Sequence, residues 1–180
     1  MKQSDFVVLL HGLCGSRLDM WPLAMRLARR GYGTRNWGYR SFGARIENVA
    51  VDVVRRLNAL ESELGEDQAI HVVTHSMGGV ILRAALQEQA FPAVRRIVML
   101  APPHQGSHVA RKLAPFLGWL APSLEQLSDA PGSYVNRLDN SFAERGIEFG
   151  IIEAERDRVI SRGAVQLAGY RDFATVDGHH

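Results

Sequence analysis

An α/β fold, with about six mostly parallel strands flanked by helices, is the class this sequence predicts, and three observations predict it. Short runs rich in β-branched residues recur along the 180 residues, and stretches with apolar residues at helical spacing stand between them. The runs are continuously apolar, as strands are when both faces of a parallel sheet are covered. Glycines stand just past two of the helical stretches, where a chain leaving a helix uses them.

In chain order, Phe6-Val7-Val8-Leu9-Leu10 is the first strand. Ser16-Arg17-Leu18-Asp19 reads as a capped helix start with an acid three residues after the cap, so a helix is predicted over Leu18–Arg30 with Gly31 beyond it. A strand over Tyr32–Trp37 and a helix over Ala44–Leu64 follow, the helix ending before Gly65. Ile70–Thr74 is a strand and Met77–Gln89 a helix. Further strands are predicted at Arg96–Leu100, Ile147–Ile152 and Phe173–Val176. The connection between Pro103 and Gly146 is too long for a plain loop and should carry structure of its own. Its segment His108–Leu120 is apolar and interrupted by Pro115 and Gly118. A single domain spanning 1–180 is expected, with 104–146 as an insertion within it.

At 46% hydrophobic residues the chain has ample material for one core. Its net charge of +2 is small, although the isoelectric point is near 9.0. The arginines occur singly or in pairs such as Arg29-Arg30, Arg55-Arg56 and Arg95-Arg96, not in a stripe, which argues against nucleic acid as a partner. One cysteine, Cys14, excludes an internal disulfide. No apolar run approaches the length of a membrane span, so no stable membrane insertion is expected. Met1 to Asp5 leads straight into a strand and leaves no room for a signal peptide. The default location is therefore cytoplasmic, with secretion of a mature form as the alternative. His71/His75 and His104/His108 have i,i+4 spacing, but no carboxylate or cysteine set accompanies them and no metal site is expected.

Thr74-His75-Ser76-Met77-Gly78-Gly79 joins the third predicted strand to its helix. A serine pinched there is forced onto a sharp turn with its Oγ exposed, above the free N–H groups and positive potential of a helix N-terminus. Gly78 and Gly79 remove side chains where the turn and the neighbouring backbone come close. A serine at a helix start can also be a mere N-cap, but that leaves the two glycines without a reason. Behind the first strand, His11-Gly12-Leu13-Cys14-Gly15-Ser16 is a second such loop.

Taken together and in this order, the two loops resemble those of the α/β-hydrolases. The serine turn is similar to their nucleophile elbow, G-x-S-x-G, with Thr74 in place of the first glycine. The other is similar to the His-Gly-x loop that supplies an oxyanion donor. Within that superfamily the chain resembles small bacterial esterases and lipases whose elbow reads Thr-His-Ser-x-Gly-Gly. Leu100-Ala101-Pro102-Pro103-His104-Gln105-Gly106-Ser107 is similar to their Pro-Pro-Asn-Gln-Gly-Ser stretch, with His104 in place of asparagine, and no role is carried over to His104. The resemblance runs from Phe6 to His180 except for roughly Val109 to Arg145. It implies a minimal α/β-hydrolase fold lacking the first strands of the full sheet, a small cap-like insertion, and no cofactor.

The resemblance also implies roles. Ser76 would be the nucleophile, with the amides of Leu13 and Met77 as oxyanion donors. The superfamily order is Ser, then Asp or Glu, then His, which places the acid on the loop after Glu148–Ile152. There Asp157, followed by Val159-Ile160, resembles the family's Asp-x-x-Val pattern, with Glu153 and Glu155 as alternatives. The Gly-x-His pattern past the final strand falls on His180, with His179 as the alternative. His75 reads as a packing residue. Val109, Leu113, Phe116, Leu117 and Leu120 would line an acyl pocket, or equally be core-facing residues of a covering helix; Leu113, Phe116 and Leu120 are the expected substrate contacts. In relatives a further helix follows the histidine, so this chain is expected to be an ordered part of a longer protein with part of one sheet face uncovered. The function so implied is hydrolysis of carboxylic esters, from small molecules or lipids, by a Ser-His-Asp triad through an acyl-enzyme. The alternatives are a non-catalytic homologue that binds a hydrophobic small molecule, and an acyltransferase or thioesterase using the same triad.

Overall fold

The computed structural model describes residues 4–65, 67–139, 142–161 and 163–180. Six strands form one sheet: β1 (Phe6–Leu10), β2 (Gly33–Trp37), β3 (Ile70–His75), β4 (Val94–Leu100), β5 (Glu148–Ala154) and β6 (Asp172–Val176). Their order is β2-β1-β3-β4-β5-β6, and every neighbouring pair is parallel. This is the α/β class the sequence predicts.

The two faces of β1 show how the layers arise. Val7 and Leu9 point to one side, where α1 (Arg17–Arg29) covers them with Met20 and Ala24. Val8 and Leu10 point to the other, into the larger core beneath α2 (Ile46–Glu63) and α3 (Met77–Glu88). There Val53, Leu57 and Leu60 of α2 meet Ile81 and Leu86 of α3 and the inward residues of β3, all buried. Fully burying one such aliphatic side chain stabilises by about 1.5–3 kcal/mol, so the alternation along each strand decides which face each helix must cover.

Helix α1 opens on its predicted cap: Ser16 Oγ accepts from the Leu18 amide at 3.1 Å, and Asp19 accepts from the Ser16 amide at 2.7 Å. Gly31 beyond it is left-handed, at φ 93°. The end of α2 differs from expectation. Leu64 leaves the helix in extended conformation, and the Gln68 side chain takes the Gly65 amide at 2.9 Å, so no left-handed glycine is needed there. 

Between β4 and β5 the chain forms α4 (His108–Leu117), α5 (Ser123–Gln126), α6 (Tyr134–Arg137) and a single 3-10 turn over Ala143–Arg145. Contrary to expectation, α4 runs through Pro115 and ends only at Gly118. Pro115 is exposed, so the carbonyl it deprives of a partner, four residues back, can meet water. Ser107 holds the start of α4 in place, accepting from the Ala110 amide at 3.2 Å and donating to the Val159 carbonyl at 2.6 Å. The loops that leave the carboxyl ends of β1, β3, β4 and β5 thereby converge, where open parallel sheets bind ligands. Among the described residues no helix is long and apolar enough to cross a membrane, and β6 is exposed along its length.

Candidate active site

Ser76 sits between β3 and α3 with φ 49° and ψ −122°. A non-glycine residue held in such a region costs about 1–3 kcal/mol and persists only where its surroundings impose it. Here the Ser76 amide donates to the Leu100 carbonyl at 2.8 Å, and the Gly79 amide donates to the Ser76 carbonyl at 2.9 Å. Two glycines let the loop after β1 close against this turn. A Cβ on Gly78 would lie 2.7 Å from the His11 carbonyl oxygen, and one on Gly12 would lie 3.0 Å from Ser76 Cβ. Although Ser76 holds the N-cap position of α3, its side chain makes no cap hydrogen bond. The hydroxyl faces elsewhere.

It donates to His180 Nε2 at 2.8 Å, and His180 Nδ1 donates to Asp157 Oδ2 at 2.9 Å. The other carboxylate oxygen of Asp157 accepts from the amides of Val159 (2.8 Å) and Ile160 (2.9 Å), so the acid is both buried and fully bonded. The tail that carries His180 is pinned to the loop after β5. The Glu155 amide donates to the Val176 carbonyl at 2.9 Å, the Arg156 amide donates to the Gly178 carbonyl at 3.1 Å, and Arg156 pairs with Asp177. Of the alternative residues, Glu153 takes the Gly163 amide at 3.4 Å, while Glu155 and His179 are exposed. Ser76, Asp157 and His180 are the three that the fold brings together.

The loop after β1 is braced from a direction the sequence did not signal. His11 is wholly buried; its Nδ1 donates to the Gly12 carbonyl at 2.9 Å and its Nε2 accepts from the Tyr39 amide at 3.3 Å. The two rings stack with centroids 4.0 Å apart, and the Tyr39 hydroxyl donates to the His11 carbonyl. Burial pushes the Tyr39 phenol up from its ordinary value, so it stays a donor. Tyr39 lies 28 residues from His11, with no motif to link them. The loop so held carries Leu13, which borders the same cavity as Ser76 and His180, while Met77 is the first residue of α3. Among the described residues neither the Leu13 nor the Met77 amide has a hydrogen-bond partner.

His75 packs its ring on that of His180, with centroids 5.2 Å apart. Burial, followed by the neighbouring His180, lowers its pKa from the ordinary 6.5 and so favours the neutral ring. Thr74, at the position of the expected first glycine, is wholly buried on the opposite side of the strand.

A cavity of about 270 Å³ opens onto Ser76 and His180. Leu113 and Leu117 of α4, with Leu120, Leu124 and Leu127 beyond it, form one wall, and Val159 and Ile160 form another. Leu113 and Leu120 both border this cavity. Phe116 does not: it is 75% exposed and does not line the cavity, which corrects its expected place on the pocket wall. It is one residue, about 100° of helix rotation, from Leu117, and that turn carries it past the edge of the cavity-facing arc. A larger groove of about 600 Å³ runs along β4, β5 and β6, but Arg96, Glu148 and Arg171 border it and neither Ser76 nor His180 does. Among the described residues no group of three or more His, Cys, Asp or Glu is placed to hold a metal ion.

Comparison with known proteins places the fold. The chain is similar to the mature lipase BlEst2 of Bacillus licheniformis, with a TM-score of 0.71 at 18% identity, covering 98% of this chain and 86% of that one. It is similar to a Xanthomonas campestris pv. campestris protein assigned to the alpha/beta hydrolase superfamily, with a TM-score of 0.64 at 18% identity over 98% of this chain and 88% of the other. The phospholipase PlaB of Legionella pneumophila matches with a TM-score of 0.69 at 16% identity over 91% of this chain, which spans only 44% of PlaB. At such identities the likeness is one of fold. None of the curated protein sequences compared matches the chain. The model of the alpha/beta hydrolase family matches residues 7–178, nearly the full length, and the chain belongs to that family.

Proposed function

We propose that this protein hydrolyses carboxylic esters through an acyl-enzyme formed on Ser76. The observation that carries the reading is the continuous relay from Ser76 through His180 to a buried, fully bonded Asp157, opening onto an apolar cavity. A serine hydroxyl is a weak nucleophile until a base takes its proton. His180 Nε2 accepts that proton as Oγ attacks the ester carbonyl carbon. Asp157 keeps the proton of Nδ1 in place, so the accepting nitrogen faces Ser76, and it stabilises the imidazolium that forms. The negative charge developing on the carbonyl oxygen is received by the amides of Leu13 and Met77. His180 returns the proton to the departing alkoxide, and the alcohol leaves. Water then attacks the acyl carbon as His180 takes its proton, His180 passes that proton to Ser76 Oγ as the acyl C–O bond breaks, and the carboxylic acid is released. The acyl chain lies in the cavity among Leu113, Leu117 and Leu120.

The test is a series of p-nitrophenyl esters of increasing acyl length, assayed with the folded wild type and Ser76→Ala. Turnover by the wild type that vanishes in the variant supports the proposal. A folded wild type that turns over no ester of any length ends it and leaves a binding role for the cavity.

A further inference from the structure

Outside the relay, two buried side chains with ionisable groups hold each other. Arg83, seven residues after Ser76 on α3, is 3% exposed, and so is His104, in the loop between β4 and α4. A charge is retained in the interior only where hydrogen bonds and other charges hold it. Arg83 Nη1 donates to His104 Nδ1 at 3.3 Å and to the His104 carbonyl at 3.4 Å, and Nη2 donates to the Leu138 carbonyl at 2.8 Å. Burial lowers Arg83 to about 10 against the opposing influence of the Asp139 carboxylate, which leaves the guanidinium charged at neutral pH. His104 Nδ1 can accept only while the ring is neutral. Burial and the Arg83 charge hold it well below 6.5, so the acceptor persists. The remaining ring nitrogen, Nε2, faces Met99 Sδ at 3.1 Å.

The two anchor points share a position in the fold. At His104 the chain departs from β4 towards α4, and at Leu138 it is on its way back to β5. Between them lie the elements that supply Leu113, Leu117, Leu120 and Leu124 to the cavity wall. One guanidinium, on the helix that begins beside Ser76, therefore ties both ends of that wall. An aliphatic side chain could fill the same space but could not grip a ring nitrogen and two carbonyls. We infer that Arg83 and His104 are positioning residues that set the cavity wall relative to Ser76 and thereby determine which acyl chains are accepted.

This inference rests on the ester-hydrolase reading, and its test separates the two. Full-length wild type, His104→Phe, His104→Asn and Arg83→Met are compared for kcat and KM on p-nitrophenyl acetate and octanoate, with circular dichroism as the check on folding. His104→Phe and Arg83→Met should lower the octanoate-to-acetate ratio of kcat/KM by about tenfold or more, through KM, the range that a lost apolar contact commands. His104→Asn restores an acceptor and should keep the ratio near that of the wild type. A folded His104→Phe with an unchanged ratio overturns the inference, and it decides the matter if Arg83→Met does not fold. If the wild type turns over neither ester, the ester-hydrolase reading fails instead. Hydrogen exchange of the amides in 108–127 then decides: faster exchange in His104→Phe than in His104→Asn supports the tie, and equal exchange overturns it.

Discussion

Where β1 and β3 end, two glycines let the loops close tightly on each other, whereas over the same serine α4 and its following turn border an open cavity. On the first side Gly12 lies against Ser76 Cβ and Gly78 against the His11 carbonyl, where added methyl groups would stand 3.0 Å and 2.7 Å away. Tyr39 and His11 lock that loop with a stacked pair and two further hydrogen bonds from Tyr39. On the second side Leu113 and Leu117 remain 39% and 41% exposed while bordering a cavity of about 270 Å³. Acyl transfer needs its donors, nucleophile and base held within a fraction of an ångström. Holding an apolar chain needs only removal from water, which is non-directional. Under the proposed ester hydrolysis, the contrast between the walls follows from that difference in demand.

The largest effect should come from the tightly built side. Ser76→Ala is expected to cost about six orders of magnitude in kcat, measured on a short p-nitrophenyl ester with the fold checked by circular dichroism. Asp157→Asn should cost about four orders, since the amide can leave His180 in the wrong tautomer. Activity equal to wild type in that variant would move the acid to Glu153 or Glu155.

A paired experiment sets one wall against the other. Gly12→Ala places a methyl 3.0 Å from Ser76 Cβ and 3.1 Å from His75 Nδ1. It should destabilise by about 1–3 kcal/mol, as overpacking does, and lower kcat on every ester alike. Leu117→Trp fills the cavity instead and should disfavour long acyl chains by about 1–3 kcal/mol while sparing acetate. Uniform loss in both variants would erase the distinction between the walls.

The pH dependence of stability adds a smaller effect. In the unfolded chain His104 takes up a proton near its ordinary 6.5, whereas the folded protein holds it neutral to well below that. The unfolded state therefore binds more protons below 6.5, and stability is present above that pH and falls as the solution is acidified towards the folded value. His75 is lowered in the same direction. Denaturant midpoints at pH 7 and pH 5 should differ less in His104→Asn than in the wild type; an equal difference would remove His104 as a cause. Phe116→Ala should do least. At 75% exposed and off the cavity wall, its loss should change stability by less than about 0.5 kcal/mol and leave the chain-length profile unmoved.

Much of this molecule was legible residue by residue. The alternation of apolar runs and helical spacing foretold six strands, and the capping box at Ser16 and Asp19 marked the start of α1 to within a residue. The elbow at Ser76 and the His11-Gly12 loop could be read because a strand, a turn and a helix start constrain only their nearest neighbours. The resemblance, through the superfamily's chain order and its Asp-x-x-Val and Gly-x-His patterns, then pointed to Asp157 and His180, which the fold brings to Ser76 from 81 and 104 residues away, as the separations of 23 and 104 residues show. The tie from Arg83 to His104 and Leu138 spans 21 and 55 residues, and no local pattern announces it or the Tyr39 brace. The edge of the cavity-facing side of α4 was hidden for another reason. Val109, Ala110, Leu113, Ala114, Phe116 and Leu117 share one arc of about 160°, so periodicity marked the apolar side without separating Phe116, at its margin, from the residues that line the cavity. That separation fell to the surfaces that enclose the cavity with α4, Leu124 and Leu127 after it and Val159 and Ile160 after β5, because which part of an apolar face is covered is set by the surfaces that come to meet it.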